Sequence, residues 1–165
     1  QKVLKAKTFR AATAMLRQLR FGLVDLRLHA LGGSAAGKAD LLAGGFTPFA
    51  LDQAVSAGTD PFAAAGRGVA FDRFLCAFQH IFAGGYSAGY FSYKWAEILS
   101  ADCFGAFEEA GLGDDARVRE TGRRFRETVL GLGGGVPPAD VFRRFRGRDP
   151  KSEALLRHNG LLAGK

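Results

Sequence analysis

The stretch from His80 to Trp95, HIFAGGYSAGYFSYKW, holds every tyrosine of the chain, Tyr86, Tyr90 and Tyr93, together with its only tryptophan. Phenols donate hydrogen bonds without carrying charge, and an imidazole that titrates near neutrality can either donate or accept. If the segment is helical from Ser87, spacings of four and three place the phenols within roughly 60° of one another at about 3.6 residues per turn. Gly84 and Gly85 precede the second part of this row, admit backbone conformations closed to other residues and leave N–H and C=O groups open to a ligand; Gly89 sits inside it. The chemistry on offer is a grip on polar, backbone-like groups. Tyrosines at helical spacing are also common as half-buried core residues with the hydroxyl at the rim, and the pattern alone leaves both readings open.

The elements that must position these residues read as helices throughout, with no alternating strand pattern, so the expected fold class is all-α. Phe9, Ala12, Leu16, Leu19, Leu23, Leu26 and Ala30 recur at steps of three and four, the stripe of one long amphipathic helix. From Leu31 to Gly68 the chain turns to Gly, Ala and Ser with Pro48 and Pro61, which reads as irregular linker with one short helix near Leu51 to Val55. A second helix is expected from about Val69 to Ile81, its apolar side made by Phe71, Phe74, Leu75 and Phe78. After the glycines a third runs from Ser87 to Ala110, with the tyrosines on one stripe and Trp95, Leu99, Cys103 and Phe107 on another, and Gly111 ends it. Asp114 or Asp115 caps a fourth through Leu132, stopped by the glycines at 133–135. Pro137-Pro138 opens a fifth that closes near Gly147. Asp149-Pro150 is a cap-then-first-turn signal for a last short helix, ended by Asn159-Gly160.

At 165 residues, 47% of them hydrophobic, the chain is long enough for one domain with a real core, taken here as residues 1–165 with 31–68 as the linker inside it. No apolar run approaches the ~18 residues of a membrane span, and no signal-peptide pattern opens the chain. Cys76 and Cys103 are isolated, which favours free thiols in a reducing compartment. The net charge of +7 invites a nucleic-acid reading. Arg123, Arg124, Arg126, Arg143, Arg144, Arg146 and Arg148 alternate with Phe125, Phe142 and Phe145, an order that can hold phosphates and stack bases. The competing and preferred reading makes each phenylalanine the buried face of an amphipathic helix and pairs the arginines with Glu120, Glu127 and Asp149. RNA is therefore kept as a partner that is not favoured. His29, His80 and His158 have no histidine four residues on, and with Cys76 they share no ligand spacing, so no metal is expected on this chain alone. His29 and His158, both near helix C-termini, read as capping or packing residues.

The run from His80 to Glu97 resembles the glycine-and-tyrosine loop of the oligopeptidase A and thimet oligopeptidase family of zinc metallopeptidases. Phe71-Asp-Arg-Phe74, Ser100-Ala-Asp-Cys-Phe-Gly-Ala-Phe107, Thr121-Gly-Arg-Arg-Phe-Arg-Glu127, Phe142-Arg-Arg-Phe-Arg-Gly-Arg-Asp-Pro150, Ala154-Leu-Leu-Arg-His-Asn-Gly-Leu161 and, upstream, Phe21-Gly-Leu-Val-Asp-Leu-Arg-Leu-His29 are similar to the family's C-terminal portion, in its order. The resemblance covers about four-fifths of the chain and implies the C-terminal helical part of a zinc oligopeptidase catalytic domain. It departs from the family in the long 31–68 segment, and at Phe91, where many members carry one more tyrosine.

The resemblance implies that Tyr90, Tyr93 and His80 are catalytic residues that stabilise the transition state and the substrate, and that Gly84, Gly85, Tyr86 and Gly89 bind a short peptide. A phenol, Tyr93 or Tyr90, would donate to the developing oxyanion. The family's zinc is held by an H-E-x-x-H helix and a later glutamate, and neither motif is in this sequence. The implied partners are short peptides and a zinc-bearing N-terminal half or other subunits, with no membrane. The implied function is that of a fragment or subunit of a zinc-dependent oligopeptidase, inactive alone; the alternative is a non-catalytic structural subunit of a larger, organellar or RNA-containing complex built on a reused peptidase fold. The expected location is intracellular, in the cytoplasm or the matrix of a mitochondrion or plastid.

Overall fold

The computed structural model describes residues 2–43, 46–64, 71 and 73–162. Among them run ten α-helices and no strand: α1 (Lys2–Thr8), α2 (Ala11–Gly33), α3 (Ala35–Leu42), α4 (Pro48–Thr59), α5 (Pro61–Ala64), α6 (Phe74–Ala77), α7 (Ser92–Ala110), α8 (Asp115–Phe125), α9 (Pro138–Arg146) and α10 (Glu153–His158). The all-α expectation holds. The chain divides into two compact units, one made of residues 10–94 and the other of residues 1–9 with 95–165.

In the unit of residues 10–94, α2 packs on α3 and α4, and α4 on α5 and α6. Its core is Phe21 and Val24 of α2, Val55 of α4, and Leu75, Phe78 and Ile81. The rings interlock, with Phe21 stacked on Phe74 at 4.6 Å and tilted against Phe78 at 5.0 Å. Offset and tilted pairs of this kind add about 0.5–1.5 kcal/mol each beyond the area they bury.

Several sequence expectations are corrected here. The long first helix is α2, which starts at Ala11 rather than Phe9 because Arg10, with a left-handed φ of 55°, stands before it. The stripe through Phe9, Leu19, Leu23 and Leu26 is exposed, and the face turned inward is Phe21, Val24 and Asp25. α2 is apolar on two sides, and the side that meets α4 and the Phe74 and Phe78 rings is the buried one. The stretch 31–68, expected to be irregular apart from a short helix near Leu51 to Val55, holds that helix as the longer α4 and carries α3 and α5 besides. Its caps explain them: the Ser34 hydroxyl accepts from Gly37 N at 3.0 Å, and Thr47 accepts from Ala50 N at 3.0 Å just before Pro48 at the first helical position. The second helix, expected over Val69 to Ile81, is a single turn of α6 followed by a 3₁₀ turn from Gln79 to Ile81, because Phe78 (φ −88°, ψ 62°) leaves the helical region; residues 65–70 and 72 lie outside the described residues. Phe71 is exposed, whereas Phe74, Leu75 and Phe78 pack as expected.

In the unit that includes residues 95–165, the helix signals of the sequence fall close to the observed ends. Asp114 caps α8, accepting from Ala116 N and Arg117 N at 3.1 Å. The helix passes through a π turn over Arg126–Leu130 and ends in a 3₁₀ turn at Gly133–Gly135. Pro138 opens α9 and Gly147 closes it. Ser152, not Asp149, stands at the N-cap position of α10 and makes no side-chain capping bond there; the Asp149 carboxylate accepts from Arg143 Nε at 2.7 Å. On α7, Ala101, Asp102, Gly105 and Ala106 are buried. Trp95, expected on the packed stripe, is half exposed, while Leu99, Cys103 and Phe107 line an apolar cleft of 490 Å³ with Phe104, Phe125 and Phe142.

Several of the arginines answer carboxylates. Arg123 donates to Glu120 at 2.6 Å and lies 3.9 Å from Glu127, Arg143 donates to Asp140 and Asp149, and Arg146 reaches both Asp102 and Glu109. Arg124 lies over the Phe145 ring at 5.2 Å. Phe142 and Phe145 are buried, as the amphipathic-helix reading requires.

Candidate functional site

The tyrosine row is built differently from its expected form. α7 begins at Ser92, not Ser87, so Tyr86 and Tyr90 stand on a run of turns and only Tyr93 is helical. Ala88 is the reason: its φ of 55° is left-handed, a conformation that costs a residue with a Cβ about 1–2 kcal/mol. The turns still bring the candidate side chains together. Tyr86 stacks on Tyr93 at 5.1 Å, Tyr90 meets Tyr93 edge-on at 5.2 Å, and the His80 ring lies 5.9 Å from Tyr86 and 6.1 Å from Tyr90. His80 and Tyr93 are exposed, and Tyr86 and Tyr90 half-buried.

What holds the turns is a residue the sequence reading passed over. Asp25 of α2 is 0% exposed, and its two carboxylate oxygens accept from Ala88 N at 2.9 Å and Tyr90 N at 2.8 Å. Its third partner is His29, whose Nδ1 lies 2.8 Å from Asp25 Oδ1 and 2.8 Å from the Asp25 carbonyl oxygen. His29 thus faces Asp25 one turn back rather than capping the end of α2. The i, i+4 spacing of an aspartate and a histidine within an apolar run was the available signal. Ser87 adds a further tie, donating to Ile81 O at 2.8 Å.

The glycines act through shape more than through free donors. Gly84 donates to Gln79 O at 3.0 Å and Gly89 to Tyr86 O at 2.8 Å, so both N–H groups are engaged inside the loop rather than open to a ligand. A Cβ on Gly84 would stand 2.8 Å from both the Cα and the carbonyl oxygen of His80, backbone atoms that cannot swing aside, and Gly85 has a φ of 78°. Gly89 has its nearest neighbour at 3.5 Å, ordinary contact. Gly84→Ala should therefore lower stability by about 1–3 kcal/mol, the usual cost of overpacking, whereas Gly89→Ala should stay within about 0.5 kcal/mol. Urea unfolding of the two variants checks this, and equal losses would contradict the geometry.

Tyr90 and Tyr93 keep their protons at neutral pH. Burial pushes the Tyr90 hydroxyl above its ordinary value, against the opposing charge of Arg17, and the hydroxyl donates to Gln18 Oε1 at 3.0 Å. Tyr93 is raised by its hydrogen bond to Tyr86, then by burial and by the two neighbouring phenols. Both are therefore hydrogen-bond donors rather than phenolates.

His158 is not part of this cluster. Its Nε2 lies 2.9 Å from Glu108 Oε1, beside the Arg157–Glu108 ion pair, and its ring meets Phe104 edge-on. Of the expected capping or packing roles, these contacts are the packing one. Cys76 is exposed and Cys103 half-buried, both as free thiols, with Cys103 raised by burial and by the charge of Asp102. Among the described residues no three His, Cys, Asp or Glu side chains gather where a metal ion could sit. The described residues therefore do not fit a zinc site.

Comparison with known proteins bears on the whole chain. The family model for peptidase family M3 matches residues 1–161. The chain is 55% identical over 165 residues to the probable cytosolic oligopeptidase A of Arabidopsis thaliana and 54% identical over 166 residues to the organellar (chloroplastic and mitochondrial) oligopeptidase A of the same plant; each match covers 99% of this chain and 22% or 19% of the relative. To oligopeptidase A of Salmonella typhimurium it is 44% identical over 160 residues, covering 97% of this chain and 21% of the relative. The chain thus spans about a fifth of the length of these relatives. With the family model matched from its first residue to within four of its last, the chain belongs to peptidase family M3.

Proposed function

We propose that this chain supplies the peptide-gripping portion of a zinc-dependent oligopeptidase that hydrolyses short peptides. The observation that carries the reading is the cluster of His80, Tyr86, Tyr90 and Tyr93, polar rings joined by a circuit of ring contacts around a loop tied down through Asp25. Tyr93, exposed and protonated, donates a hydrogen bond to the scissile carbonyl as its oxygen gains negative charge. Tyr90, anchored by Gln18, lines the same wall. His80 orients the peptide from the exposed side, Tyr86 closes over it, and Gly84, Gly85 and Gly89 let the peptide backbone come close to the loop. Zinc, which the family implies, would supply Lewis-acid polarisation in the whole enzyme from ligands outside this chain.

The paired arginines favour this reading over an RNA-contacting one, because Arg123, Arg143, Arg146 and Arg148 already answer carboxylates. The names of the two Arabidopsis relatives point to the cytosol or an organelle matrix as the place of action. No helix among the described residues is long and apolar enough to cross a membrane.

Mixing this chain with a recombinant zinc-bearing remainder of an oligopeptidase A should restore chelator-sensitive cleavage of a quenched fluorescent peptide that neither part cleaves alone. Absence of cleavage across a hundredfold range of mixing ratios, with both parts folded by circular dichroism, would overturn it.

A further inference from the structure

We infer that Asp25 is the positioning residue of the tyrosine loop: through the Ala88 and Tyr90 amides it fixes the backbone between Tyr86 and Tyr93, and so sets where the phenols stand when a peptide arrives. The inference rests on the peptide-gripping reading above and adds the residue that makes the grip rigid.

Three observations converge on it. Asp25 is fully buried on α2, where an ionised carboxylate persists only if its oxygens are hydrogen-bonded. Its partners are backbone N–H groups 63 and 65 residues away, both inside the loop and on either side of Gly89. The first of them belongs to Ala88, whose left-handed φ is a strained choice for a residue with a Cβ and persists only where its surroundings over-determine it. A carboxylate placed to receive that very amide supplies the determination. His29 occupies the remaining side of Asp25 and fixes the direction in which its oxygens face. Asp25 itself touches no phenol in these contacts, so it acts through the loop and not on a substrate.

The role predicts a local effect that general destabilisation would not give. Amide hydrogen exchange measured by NMR on the full chain should find the Ala88 and Tyr90 amides protected. In Asp25→Asn they should exchange at least tenfold faster, while the Val55 and Ser56 amides of α4 change less than twofold. Asp52→Asn, which removes a carboxylate of the same unit paired with Arg20 at 2.8 Å and with no hydrogen bond to the loop, should leave the Ala88 and Tyr90 amides as they were. In a second arm, the affinity for dansyl-pentaalanine should fall at least tenfold in Asp25→Asn and less than twofold in Asp52→Asn. Equal loosening of loop and α4 amides in Asp25→Asn overturns the inference. So does rapid exchange of the Ala88 and Tyr90 amides in the unaltered chain, a result readable even if the variant does not fold. If those amides loosen selectively while the unaltered chain binds no peptide, the hold of Asp25 on the loop stands and the peptide-gripping reading falls.

Discussion

Asp102→Ala should lower the stability of the chain by about 3 kcal/mol, the low end of the cost of breaking a buried ion pair, because Arg146 keeps Glu109 while Arg148 and the Lys151 N–H lose their carboxylate. Asp102 is 1% exposed on α7. One carboxylate receives Arg146 Nε at 3.1 Å, two bonds from Arg148 at 2.6 and 2.7 Å, and Lys151 N at 2.8 Å, so a single side chain binds the end of α9 and the connection to α10. Burial acts to raise its pKa, but the Arg148 and Lys151 hydrogen bonds and the two guanidinium charges outweigh it, and the carboxyl sits below its ordinary 3.8. The sign of the pH dependence follows. A carboxyl depressed in the folded chain contributes its stabilisation fully above the unfolded value and loses it as the pH falls through the folded one. The wild-type advantage over Asp102→Ala should therefore be constant from neutrality down to about pH 4 and shrink below it. Glu109→Ala is the control: Glu109 pairs with the same Arg146, but its side chain is 66% exposed and water screens the loss to about 1 kcal/mol or less. Urea unfolding of both variants decides the matter, and a loss at Asp102 no larger than at Glu109 would contradict the buried-anchor account.

In the assembled peptidase, Tyr93→Phe should lower kcat by about 100-fold, the usual effect of removing one donor aimed at a developing oxyanion, with KM little changed. The substitution keeps the ring, so the stack on Tyr86 and the edge contact with Tyr90 survive and only the hydroxyl is lost. Tyr90→Phe should cost less, since that hydroxyl is held by Gln18 on a half-buried side chain, whereas the exposed Tyr93 can exchange its bond to Tyr86 for the substrate oxygen. Steady-state kinetics on a short peptide separate the two. A Tyr93→Phe enzyme within twofold of wild type, or a rise in KM with kcat intact, would remove Tyr93 from the reaction and leave it a binding surface.

How legible this was depended on where each instruction is written. α8, α9 and α10 could be read because their ends are spelled by side chains that act locally, Asp114 at one cap and Gly147 and Gly160 at two stops. The same kind of signal stood at Ser34 and Thr47-Pro48, but the surrounding glycines and alanines suggested a linker, and composition was weighed above capping. The candidate site was legible in its membership, because tyrosines, histidine and glycines announce themselves by type. Its backbone was not. Nothing local to Ala88 announces a left-handed residue; the conformation is imposed by Asp25, distant in sequence and looking like a lone polar residue on an apolar face. Asp102 escaped for the same reason, its partners lying 44 to 49 residues away. The buried face of α2 was misread because that helix is apolar on two sides and only the tertiary partner selects one.

The span of the Asp25 tether also orders events in time. Closing a loop of more than sixty residues carries a chain-entropy cost that grows with the logarithm of its length, and it must be met before the two amide bonds return anything. Contacts of high sequence separation are the slow ones to form, whereas α2 and α3 are neighbours in sequence and can pair early. The expected order is therefore that residues 88 to 90 arrive late, with the Asp25 carboxylate hydrated on α2 until they do. During synthesis the tyrosine loop is the part that completes its own unit: a chain stopped short of Tyr90 carries the helices of that unit with a charge still to be buried.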